Sequence, residues 1–339
     1  MRSCTRRLDT AMIRKIWRWG RLIGGAGILA LLGWRLGSAP FLHGLQVVDS
    51  RTLAAALVIG VATTVLSAWR WSLVARGLGL HVPLRNAVSD YYRALFINAV
   101  LPGGVLGDVH RAVRHGRGVG DVSRAVKAVV LERSAGQIVL VTAVATMLVV
   151  HPGPVLSKVA AGTVVGPAGL ALALLATLAI GLAVLVRRSG SRAAAAVRSW
   201  GTDVRRGLLS SGERVGILTA SVGVLAGHLA TFVIAARAAG STASLTQLAP
   251  LLLLALVAMT LPLNIGGWGP REGATAWAFG AAGLGASQGL TVAVVYGMFA
   301  FVAALPGAAV LAAGWISRAR AESRPQPPTV TTAAIPAIS

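Results

Sequence analysis

Long apolar runs alternate along this chain with short clusters of charge, and within the runs the apolar residues are continuous rather than striped. Runs at 20–38, 52–78, 127–150, 162–186, 215–239 and 289–316 each come close to or exceed the ~20 residues that a helix needs to cross roughly 30 Å of hydrocarbon. Two shorter apolar pieces, 88–101 and 247–262, end in breaks rich in proline and glycine. The first break reads Leu101-Pro102-Gly103-Gly104 followed by Gly107-Asp108, and the second Leu261-Pro262 followed by Gly266-Gly267-Trp268-Gly269-Pro270-Arg271-Glu272. A break of this kind frees backbone groups that lipid cannot satisfy, so it persists only where it lines a polar cavity or is wrapped in protein. The pattern predicts an all-α polytopic membrane bundle with six full spans and two half-span pairs.

Composition agrees with the runs: 55% hydrophobic and 12% charged residues do not suit a water-soluble globule. The net charge of +22 raises nucleic-acid binding as a function class, but the basic residues flank apolar spans instead of forming an aromatic-interleaved patch, which argues against it. Seven of the 32 Lys and Arg lie in residues 1–21 and seven in 187–214, with a further group from Arg111 through Arg114, Arg117 and Arg124 to Lys127. Basic residues collect on the cytoplasmic side of short loops, so these segments share that side. Loops 39–50, 151–161 and 240–246 contain no Arg and only Lys158, and are expected outside.

This orientation gives the breaks a topology. Residues 79–87 and 111–126 are both inside by charge, so the segment between them is expected to enter and leave from the cytoplasm as a re-entrant hairpin. Segment 247–284 is expected to do the same from the outer face, giving oppositely oriented hairpins and an inverted repeat that meets near the bilayer midplane. An ordinary pair of full spans in place of either hairpin is the competing topology.

Asn98, Asp108 and Arg111 flank the first break, and Asn264, Arg271 and Glu272 the second, so each offers an acid, a base and an amide. Charges at membrane depth are costly and face a cavity or one another. Mutual neutralisation that merely closes a hairpin is the plainer alternative. Glu132 and Arg133 form another adjacent pair, just inside the span beginning near Lys127. There Glu132 could hold Arg133 for bidentate contact with a phosphate, with snorkelling of Arg133 to the interface as the alternative. Arg70, between Trp69 and Trp71, reads as a headgroup-level anchor, as do Trp17 and Trp19 in the basic amphipathic lead-in. Half-helices starting near Gly107 and Pro270 would offer free N–H groups and positive dipole ends to phosphate.

The strings FINAVLPGGVLGDVHRAVRHGRG, VVLERSAGQ and LPLNIGGWGPREGA, in that order, resemble the lysylphosphatidylglycerol synthase transmembrane-region family, also called the flippase-like domain family. The first family motif falls on Asn98, Leu101, Pro102, Gly103, Gly104, Gly107, Asp108 and Arg111. The second falls on Glu132 and Arg133, and the third on Gly266, Gly267, Gly269, Arg271 and Glu272. The resemblance implies a bacterial plasma-membrane protein that moves or handles lipids. Its bifunctional members continue into a large cytoplasmic aminoacyl-transfer domain, whereas here only 317–339 follow the last span, so that transfer is not expected.

The expected domains are a basic cytoplasmic N-terminus at 1–19, a flippase-like transmembrane domain at 20–316 and a disordered cytoplasmic tail at 317–339. Residues 20–38 are read as an uncleaved first span rather than a signal peptide. The expected function is passage of a phospholipid or polyprenyl-phosphate headgroup through a midplane cavity. Its substrate-binding residues would be Asn98, Pro102, Gly104, Gly107, Asp108, Arg111, Glu132, Arg133, Asn264, Gly266, Gly267, Gly269, Arg271 and Glu272. Partners are membrane lipids, anionic phospholipid or lipid-linked phosphate; no cofactor, metal or enzymatic activity is expected. The acids could orient arginines, bind a cationic headgroup or carry protons, and the sequence does not separate these roles. A non-transporting lipid-binding or assembly subunit is the alternative. A membrane-embedded enzyme is disfavoured because His43, His81, His110, His115, His151 and His228 lack ligand spacing. No G-x-x-x-x-G-K-[ST] loop occurs to supply ATP hydrolysis, and the single Cys4 permits no internal disulfide.

Overall fold

A computed structural model describes residues 27–101, 104–150, 191–208, 210, 212–260 and 267–322. Among them are helices and no strands. The helices are α1 (Gly27–Leu36), α2 (Ala39–Gln46), α3 (Ser50–Gly77), α4 (Leu84–Val100), α5 (Leu106–Val119), α6 (Val122–Val150), α7 (Ser191–Leu208), α8 (Arg214–Ala238), α9 (Leu245–Met259), α10 (Pro270–Ala281), α11 (Ala286–Ala304) and α12 (Pro306–Glu322).

Four helical stretches are long and apolar enough to cross a bilayer: Ser50–Gly77, Val122–Met147, Arg214–Ala238 and Ala286–Ser317. At most 39% of any of their apolar windows is buried inside the chain, so the greater part faces outward, as lipid-exposed helices require. These match four of the six expected spans. Of the span expected at 20–38, the described part is only the short helix α1, while residues 20–26 and all of 162–186 lie outside the described residues. The loop expected at 39–50 is largely helical, because Pro40 starts α2 and Gly44 lets it lie against Val294 of α11. At the other end of the chain, α12 continues to Glu322, into the segment expected as a disordered tail.

α3 and α8 run antiparallel, and glycines decide how closely. Gly216, Gly223 and Gly227 face Leu73, Leu66 and Thr63 in turn. Small residues on one helix face let backbones approach where no hydrophobic driving force separates helix from lipid. Around this pair the two ends of the bundle differ in chemistry. At the C-terminal end of α3, Arg76 pairs with Glu213 at 3.2 Å and Lys127 with Asp203 at 2.6 Å, so basic segments assigned to one side do meet. At its N-terminal end, Val47 and Leu53 pack with Ala239, Ala243 and Leu248, drawing together the loops that lack arginine.

The two broken segments are short. α4 has 17 residues and α9 15, about 25 and 22 Å at 1.5 Å per residue, less than the hydrocarbon thickness. α5 folds back along α4: Gly107 N–H donates to Asn98 Oδ1 at 2.7 Å, and Arg114 reaches Asp90 at 2.9 Å. The turn depends on Gly107, where any Cβ would collide with the backbone of Ala94. Further on, α9 packs on α10, and α10 on α11 through Phe279 and Gly289. Pro306 interrupts the last span, and Gly307 lies against the backbone of Tyr92.

Gly107→Ala should therefore destabilise the chain by about 1–3 kcal/mol, the usual cost of overpacking. Gly118→Ala on the same helix, where a Cβ meets nothing, should be neutral or stabilising by up to about 1 kcal/mol. Thermal unfolding of both variants in detergent, compared with the native chain, checks the contrast.

Candidate functional site

Arg70 and Trp71 are both buried, so this part of α3 is not the headgroup anchor expected of it. Arg70 instead points into the bundle, where Nε and Nη2 donate to Glu132 Oε1 at 3.0 and 2.6 Å and Nη1 donates to Ser221 Oγ at 3.2 Å. Gly136 on α6 makes room for it, since a Cβ there would touch the guanidinium. Tyr91 Oη donates to the same carboxylate oxygen at 3.2 Å.

Glu132 Oε2 accepts from Arg111 Nη2 at 3.0 Å. Arg111 is fully buried and lies between two aromatic faces, with its guanidinium carbon 4.6 Å from the Trp71 ring centre and 4.4 Å from that of Tyr91. Its Nε and Nη1 have no hydrogen-bond partner among the described residues, and the ring faces compensate part of that loss. Arg111 also reaches Asp108 Oδ1 at 2.9 Å. Asp108 in turn accepts from Arg133 Nη2 with both oxygens, at 2.8 Å each.

Glu132 thus does not orient its neighbour Arg133, contrary to the sequence expectation. Consecutive helix residues diverge by about 100°, so Glu132 pairs with Arg70 of α3 and Arg111 of α5, while Arg133 pairs with Asp108 of α5 and lies over the Tyr91 ring of α4. Three guanidiniums, those of Arg70, Arg111 and Arg133, share the two carboxylates of Glu132 and Asp108, which leaves the cluster one positive charge in excess.

A second, separate pair sits at the start of α10. Arg271 Nε donates to Glu272 Oε1 at 2.9 Å, and its Nη2 donates to the same oxygen. Glu272 Oε2 accepts from Gly269 N–H at 2.7 Å. Gly269 takes φ +117°, a conformation that favours glycine, so the carboxylate three residues on can fold back to cap the helix. Arg271 lies over Trp268 and Tyr296, at 5.2 and 5.4 Å. Gly297 leaves the space it needs, and the Tyr296 hydroxyl is 2.9 Å from His228 Nδ1.

A cavity of about 350 Å³ lies between the two assemblies. Arg70, Arg133, Arg271, Asn98, Ser221 and His228 contribute its polar lining, and Gly104 and Gly267 bring both breaks to its wall. Gln137 and Thr260 add to the polar part, and most of the remaining wall is apolar, including Leu140, Leu225, Leu256, Met259 and Phe301. Among the described residues no Asp or Glu lines it. Arg70 and Arg271 are almost buried, whereas the Arg133 side chain is 43% exposed and is the accessible cation of the three. Among the described residues no group of three His, Cys, Asp or Glu is arranged to hold a metal.

The sequence candidates thus divide. Asn98, Gly104, Arg133, Gly267 and Arg271 line the cavity; Asp108, Glu132 and Glu272 stand behind the lining and hold its arginines, with Arg111 held between Asp108 and Glu132; Gly107 and Gly269 shape the breaks. Pro102, Asn264 and Gly266 lie outside the described residues. The N–H groups expected to face a ligand are in part already used: Gly107 gives its N–H to Asn98 and Gly269 gives its own to Glu272. Of the other residues at the site, the sequence assigns Arg70 and His228 no binding role and does not single out Ser221 or Tyr296. A signal existed for two of them, since Ser221 and His228 are seven residues apart in a largely apolar span and so share one helix face.

Removing Glu132 leaves Arg70 and Arg111 buried without their shared counter-charge. Glu132→Ala should cost about 3–5 kcal/mol, the range for stripping one partner from a buried pair. Asp108→Ala should cost less, because Arg133 is half-exposed and Arg111 keeps Glu132. Denaturant or thermal unfolding in detergent, read by tryptophan fluorescence, orders the two.

No curated protein matches the chain, and no solved structure does. The family model described as lysylphosphatidylglycerol synthase TM region matches residues 19–307, with all three charged motifs inside the match. Its span covers most of the chain, and the protein belongs to the lysylphosphatidylglycerol synthase transmembrane-region family.

Proposed function

We propose that this protein is a lipid transporter of the flippase-like type, in a bacterial plasma membrane with both termini cytoplasmic. It passes a phosphate-bearing lipid headgroup across the bilayer through the cavity between the two breaks. The observation that carries this reading is the mixed character of that cavity: its wall combines arginines and hydrogen-bonding groups with Leu225, Leu256, Met259 and Phe301. A headgroup would occupy the polar part while acyl chains remain against apolar surface.

The short α4–α5 and α9–α10 pairs act in this reading as re-entrant hairpins that meet from opposite faces near the midplane. Arg133 meets the phosphate, with Arg70 and Arg271 adding positive potential at the same wall. Asp108, Glu132 and Glu272 position these cations. No chemical step on the lipid is required of any of these residues, so the reading is of a transporter rather than an enzyme.

Reduction of fluorescent lipids by dithionite in proteoliposomes tests the proposal. The native chain should expose inner-leaflet probe that protein-free vesicles protect. Val224→Trp, which fills the cavity without removing a charge, and Arg271→Ala should both return the signal to the protein-free level. Size-exclusion profiles establish that the variants are folded. Probe that stays protected with folded native protein, across phosphatidylglycerol, phosphatidylethanolamine and polyprenyl phosphate, would leave a non-transporting lipid-binding role in its place.

A further inference from the structure

Each carboxylate near the cavity is already engaged, with a donor on both of its oxygens. Asp108 Oδ1 accepts from Arg111 and Arg133, and its Oδ2 accepts from Arg133 and, at 3.5 Å, from Asn98 Nδ2. Glu132 Oε1 accepts from Arg70 and Tyr91 and Oε2 from Arg111. Glu272 Oε1 accepts from Arg271 and Oε2 from Gly269 N–H. All three stand outside the lining, and three guanidiniums stand in it. The wall therefore offers donors and positive potential, with no anionic acceptor for a cation.

From this arrangement we infer that the cavity selects lipids whose headgroup is net negative, a phosphate monoester or diester without an ammonium, and rejects aminoacylated headgroups. The inference rests on the transport reading and narrows its substrate. It also separates this chain from the lysylated lipid in its family's name. A lysyl ester adds two ammonium groups to the single phosphate charge of phosphatidylglycerol and turns the headgroup positive. Such a group would bring uncompensated ammonium into a low-dielectric space whose fixed excess is already positive. Moving a carboxylate out to meet it would break one of the ion pairs that hold Arg70, Arg111, Arg133 or Arg271 in hydrocarbon, which adds a second cost.

The acids thus have one of the three roles open to them from sequence: they position the arginines. Arg133 is the contact through which selectivity acts, since it is half-exposed and its cluster carries the excess charge. Gln137, one turn further along α6, is an exposed, uncharged residue at the same wall. A carboxylate there would supply what the native lining lacks.

The test compares acyl-labelled phosphatidylglycerol with acyl-labelled lysylphosphatidylglycerol in the dithionite assay on the full chain. The native protein should move the anionic lipid at least about tenfold faster, the effect of one charge-assisted contact. Arg133→Gln should bring the two rates to within about threefold, and Gln137→Glu should shift preference toward the lysylated lipid. Equal rates for both lipids, or a faster lysylated lipid with the native chain, overturns the selectivity while leaving transport in place. If neither lipid moves, the transport reading falls, and thermal shifts of the detergent-purified protein decide the selectivity. Stabilisation by phosphatidylglycerol alone supports it, and equal stabilisation by both lipids, or greater stabilisation by the lysylated one, overturns it.

Discussion

The Glu132 carboxylate holds this structure's polar interior together. One oxygen takes two donors from Arg70 and one from Tyr91, and the other takes Arg111. These residues come from α3, α4, α5 and α6, so a single fully buried group ties four helices at one point. In a membrane protein such a tie has unusual weight, because lipid is as apolar as the helices' outer faces and drives no association by itself. Packing and buried polar contacts fix the arrangement, and the guanidiniums have no alternative solvent.

Glycine determines where those contacts can form. Gly136 admits Arg70 beside α6, Gly107 brings α5 onto α4 so that Arg111 and Asp108 reach the cluster, and Gly297 leaves space for Arg271. The two breaks then border one cavity from both sides, through Gly104 and Gly267. What reaches the cavity wall is consequently asymmetric in charge: the arginines line it and the acids stand behind them. A binding wall and the structure that supports it are built from the same ion pairs, so a change at one acid acts on the ligand contact through the arginine it holds.

Much of the architecture was legible in the chain. Span length and hydropathy identify four helices long and apolar enough to cross a bilayer, and the proline-glycine strings locate both breaks, because each reflects a local constraint of lipid on the backbone. The motif residues Asn98, Asp108, Arg111, Glu132, Arg133, Arg271 and Glu272 were likewise visible as charge or amide where hydrocarbon disfavours them. Arg70 was misread, since a tryptophan-arginine-tryptophan string has the same composition whether it sits among headgroups or against a carboxylate 62 residues away. The Glu132–Arg133 adjacency misled for the opposite reason, as neighbours on a helix face different partners.

Sequence alone therefore determined that this chain is a helical membrane protein, where its helices break, and which charges must be accounted for, because lipid imposes those conditions residue by residue. Only the tertiary structure decided which acid meets which arginine. That pairing depends on helix rotation and on close approach at Gly107, Gly136 and Gly297, quantities no stretch of sequence carries. It is also what leaves arginine, and no carboxylate, on the cavity wall.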